Sequence, residues 1–179
     1  MNVIYTVGDG ITYAASDGRF LAFPGSVLVT DRTAADVLRW KTLHDKGWEA
    51  MTPEEQAEWV GGMKGAYNYT DMNRVERFVE ALVARFSEKG IRLSVTTKTD
   101  WTRTSWPTKN DMARYFDNVG KVRAAVVVNL NTPAVPTTVA LFDYKKANDL
   151  EKILLAVSNW LDRVEQSQMY SGDLYLGEV

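Results

Sequence analysis

The chain has 179 residues, of which 45% are apolar and 25% are charged, and its 21 basic and 23 acidic residues leave a net charge of −2. These values are typical of one globular domain, or of one domain with a small appendage, and they argue against a dedicated nucleic-acid-binding domain, which usually carries a strong basic excess. The absence of Cys excludes disulfide scaffolds, thiol catalysis and Cys-ligated metal centres, and the single His excludes a multi-His metal site within one protomer.

Residues 2–30 carry the pattern of short β-strands. The apolar runs Val3–Val7 and Ile11–Ala15 are separated by Gly8-Asp9-Gly10, and glycine accepts the positive φ that a hairpin turn requires. A further strand is predicted over Tyr170–Val179. We therefore expect an N-terminal β segment, residues 1–30, and a helical domain, residues 31–179, with the two terminal β segments sharing a small sheet or pairing between subunits.

Five helices are predicted from cap residues, stop glycines and the three- and four-residue spacing of apolar side chains. They run from Thr30-Asp31 or Thr33 to about Lys46, from Thr52 to Gly61-Gly62, from Thr70-Asp71 to Gly90, from Thr108 through Val122, and from near Asp143 through Val164. Between the third and fourth helices, the alternating sequence Ile91–Thr99 predicts a short central strand. The expected fold class is therefore α+β, with a mainly helical core of four or five helices and a small β element from the N- and C-terminal segments.

No residue pattern in the chain predicts an enzyme. His44 lies late in the first predicted helix beside Asp45, but neighbours one apart on a helix do not face each other, so we predict a structural role. The glycine-rich run 61–65 lacks the Gly-Lys pair of a phosphate-binding loop, and no Gly-x-Ser-x-Gly sequence is present. We predict no catalytic, cofactor-binding or metal-ligating residue, although a hydrolase that uses two distant carboxylates stays an open alternative.

The loop over residues 101–107 is the strongest candidate for a ligand or partner contact. Trp101 and Trp106 stand in a polar, hydroxyl-rich sequence that also holds Arg103. Such indoles can stack on sugar rings or anchor a protein partner, because Trp combines a large apolar surface with an N–H donor. The alternative, which we favour, is that one or both cover the helical core, with Trp106 packing over the start of the next helix as a hydrophobic staple.

Two tyrosines form a second candidate contact. Tyr67 and Tyr69 precede the longest amphipathic helix, and we favour a packed helix entry over a ligand site. The remaining tryptophans stand in helical context and are predicted to lie in the core or at a subunit interface: Trp40, Trp48, Trp59 and Trp160.

Several segments of the chain resemble one family of phage proteins. The resemblance rests on Lys46-Gly47-Trp48-Glu49-Ala50-Met51-Thr52-Pro53-Glu54-Glu55, Gly65-Ala66-Tyr67-Asn68, Thr70-Asp71-Met72-Asn73-Arg74-Val75-Glu76, Thr99-Asp100-Trp101-Thr102 with Pro107-Thr108, Ala147-Asn148-Asp149-Leu150-Glu151-Lys152-Ile153-Leu154, and Tyr170-Ser171-Gly172-Asp173-Leu174-Tyr175. These segments look like those of uncharacterised tail-associated structural proteins of phages and prophages in gut Firmicutes, over about residues 30–179. The resemblance supplies no catalytic residue.

The resemblance implies a non-enzymatic virion protein, a tail or baseplate module that contacts other virion proteins and itself as a homo-oligomer. We expect synthesis in the cytoplasm, because the first residues predict no secretory signal, followed by incorporation into the virion. The alternative is a carbohydrate- or cell-wall-binding module that contacts a cell-surface glycan through the Trp101–Trp106 loop. Neither function requires a cofactor, nucleic acid or membrane insertion, and no run of about 18 apolar residues predicts a membrane span.

Overall fold

The computed structural model describes the backbone of residues 3–6, 12–15, 28–138 and 142–172, and the side chains of residues 28–138 and 142–167. This part of the chain is mainly helical and contains five α-helices. They are α1 (Ala34–Lys46), α2 (Pro53–Gly61), α3 (Tyr69–Glu88), α4 (Lys109–Ala124) and α5 (Tyr144–Gly172), and a short 3-10 helix at Trp48–Ala50 precedes α2. Two four-residue strands, β1 (Val3–Thr6) and β2 (Thr12–Ala15), pair antiparallel.

The caps predicted at Thr52 and Thr108 are confirmed, and of the two alternatives predicted for the first helix, Thr30-Asp31 and Thr33, the structure has Thr33. Thr33, Thr52 and Thr108 each accept a hydrogen bond from the backbone N–H three residues later, and the carboxylate at that later position accepts one from the threonine N–H. A side-chain cap of this kind contributes about 1 kcal/mol to helix stability. The predicted start of α3 at Thr70 is wrong, because Asn68 provides the cap and accepts from the Thr70 N–H at 2.8 Å.

Helices α3, α4 and α5 form a three-helix bundle around one continuous apolar core. On α3, Val75, Val79, Leu82 and Phe86 are at most 1% exposed, and their three- and four-residue spacing turns one face of the helix inward. Burial of one such side chain contributes about 1.5–3 kcal/mol before the loss of conformational entropy is subtracted. The bundle is therefore the main stabilising element of the described structure.

Residues 34–66, which we call the aromatic unit, comprise α1, the 3-10 helix, α2 and the connector to α3. The unit has a small core of its own, made of Leu43, Met51 and Met63 with Trp40 and Trp59 packed against them. The connector passes very close to α1, because a Cβ atom at Gly65 would lie 2.1 Å from the backbone oxygen of Asp36. Only glycine fits this approach, so Gly65 fixes how the connector lies against α1.

The predicted central strand over Ile91–Thr99 is wrong, because the structure contains no strand there. The alternation does predict burial, since the odd-numbered apolar side chains from 91 to 95 pack against the bundle core. Helix side chains take the hydrogen bonds that a partner strand would supply: Asn118 accepts from the Thr96 N–H at 3.2 Å and donates to its carbonyl at 2.6 Å. Glu76 likewise accepts from the Lys98 N–H at 3.2 Å.

Helix α5 extends further than predicted and reaches Gly172, so the strand predicted over Tyr170–Val179 is wrong in its first three residues. The rest of that segment lies outside the described residues, as does the turn predicted at Gly8-Asp9-Gly10, and a sheet shared by both termini is not shown. Over the described residues, no helix combines the length and apolarity needed to cross a bilayer.

Candidate functional site

A groove of about 720 Å³ lies between the aromatic unit, the start of α3 and the loop over residues 101–107. Its lining is dominated by aromatic side chains, which are Trp40, Trp48, Trp59, Tyr67, Tyr69, Trp101 and Trp106. We call it the aromatic groove and define it by these seven residues together with Arg103. All five residues predicted as candidate contacts, which come from two separate segments of the chain, therefore line one surface feature.

Trp101 forms the floor of the loop and belongs to the bundle core, with only 4% of its surface exposed. Asn73 on α3 holds its backbone from both sides, accepting from the Trp101 N–H at 2.9 Å and donating to its carbonyl at 2.8 Å. The Lys98 ammonium lies 4.9 Å from the centre of the indole ring. The indole Nε1–H is buried without an acceptor among the described residues. Trp101 therefore follows the favoured prediction of a core residue.

Trp106 differs from Trp101, because it is 88% exposed. The predicted staple over the start of α4 is wrong. Polar bonds hold the loop on both sides of the indole: the Ser105 hydroxyl accepts from the Thr102 N–H at 2.9 Å, and Thr108 caps α4. Because these bonds fix the helix entry, the Trp106 ring is left on the rim of the aromatic groove with a free face.

The two tyrosines divide in the same way. Tyr67 is part of a packed helix entry: its hydroxyl is hydrogen-bonded to that of Tyr115, and its ring meets the Phe142 ring edge-on at 5.2 Å. Burial raises the pKa of Tyr67 above its ordinary value, and the same cause raises the pKa of Tyr115. Tyr69, the first residue of α3, is 37% exposed at the rim of the groove.

The opposite wall of the groove comes from the aromatic unit. The rings of Trp40 and Trp59 stack with their centroids 6.3 Å apart and their planes at 14°, and Trp48 is 46% exposed. The ion pair between Arg39 and Glu58, at 2.7 Å, joins α1 to α2. The sequence does not predict that these tryptophans line the groove. The wall forms only because α1 packs against α2, and no local sequence pattern indicates that pairing.

Arg103 gives the groove its charge. It is the one charged side chain among the described residues that line the groove. It is exposed, and it makes no ion pair or hydrogen bond with any described side chain. An unpartnered cation beside neutral aromatic side chains favours a ligand that carries a negative charge.

A buried charge cluster, made of Arg32, Asp71, Arg74, Asn148 and Glu151, ties the residues before α1 to the bundle. Arg32 contacts both carboxylates at 2.8 Å, and Arg74 contacts Asp71 at 2.5 Å and Glu151 at 2.8 Å. Asn148 accepts from the Arg32 N–H at 3.0 Å and donates to its carbonyl at 2.9 Å. Although burial opposes its charge, the hydrogen bond and the charge of Glu151 raise the pKa of Arg74. Both carboxylates are shared between guanidinium groups, which is typical of a structural cluster rather than of a proton-transfer site.

The cluster also reaches the groove through Tyr67. The Arg32 guanidinium lies 5.3 Å from the centre of the Tyr67 ring. A cation over a tyrosine ring in a desolvated position is attracted by about 1–2 kcal/mol. The charge cluster therefore supports one of the residues that line the aromatic groove.

His44 lies outside the groove lining on the exposed surface of α1. Its Nδ1 is 3.3 Å from the Asp45 carboxylate, so these two neighbours meet even though adjacent helix positions do not ordinarily face each other. Both side chains are more than half exposed, which leaves them free to approach. In the part of the chain that the structure describes, no three His, Asp or Glu side chains come together as a potential metal site.

Comparisons with known proteins add no family: no protein-family model, curated protein or solved structure matches the chain. What the aromatic groove can bind must therefore follow from its own side chains. These provide flat apolar rings, hydroxyl groups and one unpartnered cation.

Proposed function

We propose that the chain is a non-enzymatic phage or prophage virion protein, a tail or baseplate module that binds other virion proteins, and copies of itself, through the aromatic groove. The observation that carries the proposal is a concentration of exposed apolar side chains. Trp48, Val60, Tyr69 and Trp106 are between 37% and 88% exposed, and all four line the groove. Clustered exposed apolar surface marks interaction sites, and Trp, Tyr and Arg dominate binding at protein interfaces.

The resemblance to tail-associated proteins supports the assembly setting. Structural proteins of this kind act through surfaces and form symmetric oligomers. Such an oligomer presents one copy of the groove on each subunit. The small β element belongs to this proposal as well. Among the described residues, β1 and β2 pair only with each other, and we propose that a terminal segment of the same or a neighbouring chain pairs along a free edge of this sheet.

A photo-cross-linking amino acid at position 106 tests the proposal in particles. Phage particles would be induced from the source strain and purified on a density gradient. We expect the chain to co-purify with the particles and, on irradiation, to become joined to an identified particle protein or to a second copy of itself. Purified particles without the chain would contradict the proposal.

Val127 offers a matched control for this experiment. It is also 88% exposed, but it does not line the groove. The same cross-linker at position 127 should give much less product than at position 106. Equal product at both positions would show that contact is not specific to the aromatic groove.

A second candidate function is the binding of a cell-surface or cell-wall glycan. The 88% exposure of Trp106 favours it, because the free face of an indole is also a surface on which a sugar ring can stack. The buried Trp101 cannot contribute a second stacking face. Retention on insoluble peptidoglycan that is lost in Trp106→Ala and kept in Val127→Ala would support this function, and equal retention of both variants would dispose of it.

A further inference from the structure

We infer that the aromatic groove binds an extended, proline-containing peptide segment that carries an acidic residue beside its prolines. The inference rests on the proposed function, of which it names the chemistry of the partner. Three properties of the groove support it: its size, its exposed rings and its charge.

The size of the groove favours a short extended segment over a helix. A volume of about 720 Å³ lies in the range of sites that hold small ligands, roughly 300–1,000 Å³. An α-helix with its side chains is about 10–12 Å across and needs a long trough rather than a compact groove. Strand addition needs an open sheet edge, and the described lining residues belong to helices and loops. A few residues in extended conformation therefore fit best.

The exposed rings favour proline within that segment. Polyproline II conformation is preformed, so proline-rich segments lose little conformational entropy when they bind, and aromatic-lined grooves are their usual receptors. Trp48, Tyr69 and Trp106 offer free ring surface at the rim for the pyrrolidine rings. The backbone carbonyls of such a segment make no internal hydrogen bonds, so they can accept bonds from donors of the groove.

The charge of the groove indicates which residue flanks the prolines of the bound segment. Arg103 is exposed, unpaired among the described residues and alone in charge within the described lining. A guanidinium in this position forms its best contact with a carboxylate, which it can bind with two parallel N–H donors. Charge complementarity therefore selects a segment with Asp or Glu next to its prolines over one with Lys or Arg.

Peptide titration tests the inference on the intact purified protein. The probe is an acetylated and amidated peptide of one aspartate followed by five prolines. Two matched peptides replace the aspartate by lysine or the prolines by glycines. With calorimetry and tryptophan fluorescence as readouts, we expect the aspartate–proline peptide to bind at least about tenfold more tightly than either matched peptide.

Variants of exposed residues then separate the charge from the rings. Arg103→Glu should reverse the preference, so that the lysine–proline peptide binds more tightly than the aspartate–proline peptide. Trp106→Ala should weaken binding at least about tenfold while leaving the charge preference in place. Arg92→Glu, at an exposed arginine outside the groove, should change neither property. Unchanged melting temperatures would confirm that the variants are folded.

Three outcomes would overturn the inference. They are absence of binding to the proline peptides at millimolar concentration, equal binding of the glycine peptide, and an unchanged preference in Arg103→Glu. Saturable binding of a cell-wall oligosaccharide that Trp106→Ala abolishes, together with no peptide binding, would identify a glycan as the occupant instead. If position 106 cross-links to a particle protein while the proline peptides do not bind, this inference fails and the proposed function stands. If the peptides bind but the particles lack the chain, this inference stands and the proposed function fails.

Discussion

The bundle of α3, α4 and α5 and the aromatic unit (residues 34–66) are stabilised in different ways. Among the described residues, seventeen buried apolar side chains share the core of the bundle, whereas three form that of the aromatic unit. Ion pairs such as Lys46–Glu55 and the close backbone approach at Gly65 hold the aromatic unit together. Trp40 and Trp59 pack against this small core, whereas Trp48 is 46% exposed and stays available for binding. The bundle therefore supplies most of the buried apolar surface, whereas the aromatic groove is lined by residues of both regions.

The largest expected effect comes from breaking the charge cluster that ties the segment leading into α1 to the bundle. Glu151→Gln would leave the buried Arg32 and the half-buried Arg74 with one carboxylate between them. Loss of one partner from a buried ion pair costs about 3–5 kcal/mol, because it leaves an uncompensated charge. We expect the free energy of unfolding, measured by urea titration with circular dichroism, to fall by this amount.

Asp117→Asn is the control for this change. Asp117 pairs with Lys121 at 2.8 Å on the exposed side of α4, and exposed pairs contribute about 0–1 kcal/mol. A similar decrease in the free energy of unfolding for both variants would show that the buried cluster stabilises the fold no more than an exposed ion pair does.

A smaller and more local effect is expected from Gly65→Ala. The new methyl group would lie 2.1 Å from the Asp36 backbone oxygen, so α1 and the connector must move apart. Overpacking of this kind costs about 1–3 kcal/mol. Hydrogen exchange should accelerate at the amides of α1 and α2, while the amides of the bundle keep their protection.

Gly61→Ala makes the same glycine-to-alanine substitution in the aromatic unit, but without a steric clash. Gly61 is the last residue of α2, and a Cβ atom there would meet no heavy atom within 4 Å. Alanine in a helix is favoured over glycine by up to about 1 kcal/mol, so this variant should be neutral or more stable. Faster hydrogen exchange in both variants would mean that any glycine-to-alanine substitution destabilises the aromatic unit, and that the steric clash at Gly65 is not the cause.

The smallest effects come from two equivalent helix caps, one in each region. The Thr33 hydroxyl lowers the pKa of Asp36 at the start of α1, and the Thr108 hydroxyl lowers that of Asp111 at the start of α4. A carboxyl with a lowered pKa stabilises the fold fully above its unfolded value, about 3.9, and that stabilisation is lost as the pH falls through the folded value. The hydrogen bonds of both caps are exposed to solvent, so each cap contributes only about 0.5 kcal/mol.

Thermal unfolding of Asp36→Asn and Asp111→Asn between pH 7 and pH 2 measures this contribution. Both variants should be less stable than wild type at neutral pH and approach it in acid. Because the aromatic unit has the smaller core, Asp36→Asn should also accelerate hydrogen exchange locally in α1. The same local response at α4 in Asp111→Asn would remove the distinction between the two regions.

The sequence predicts best what depends on neighbouring residues. The caps at Thr52 and Thr108 are determined within four residues, and the structure confirms them, while it selects Thr33 over the alternative Thr30-Asp31 for α1. Trp101 and Trp106 illustrate the limit, because they are the same residue type in the same loop. Trp101 is buried partly because Asn73, 28 residues earlier in the chain, holds its backbone.

The strand predicted over residues 91–99 and the charge cluster show the same limit. A period of two in apolar residues indicates which side is buried, but it does not reveal whether the hydrogen-bond partner is a strand or a set of side chains such as Asn118. Glu151 stands next to Leu150 on the buried face of α5, where sequence periodicity leads one to expect apolar residues. Only the tertiary structure brings Arg32 and Arg74 to it.

The distance along the chain between members of this cluster has a consequence for synthesis. Arg32 and Glu151 are 119 residues apart, and ribosomes add about 5–20 residues per second. The guanidinium of Arg32 therefore lacks its Glu151 partner for several seconds, until α5 has been translated. The contact that joins the segment leading into α1 to α5 therefore forms only after α5 has been translated. A nascent chain without α5 accordingly lacks the charge cluster that holds this segment against the bundle.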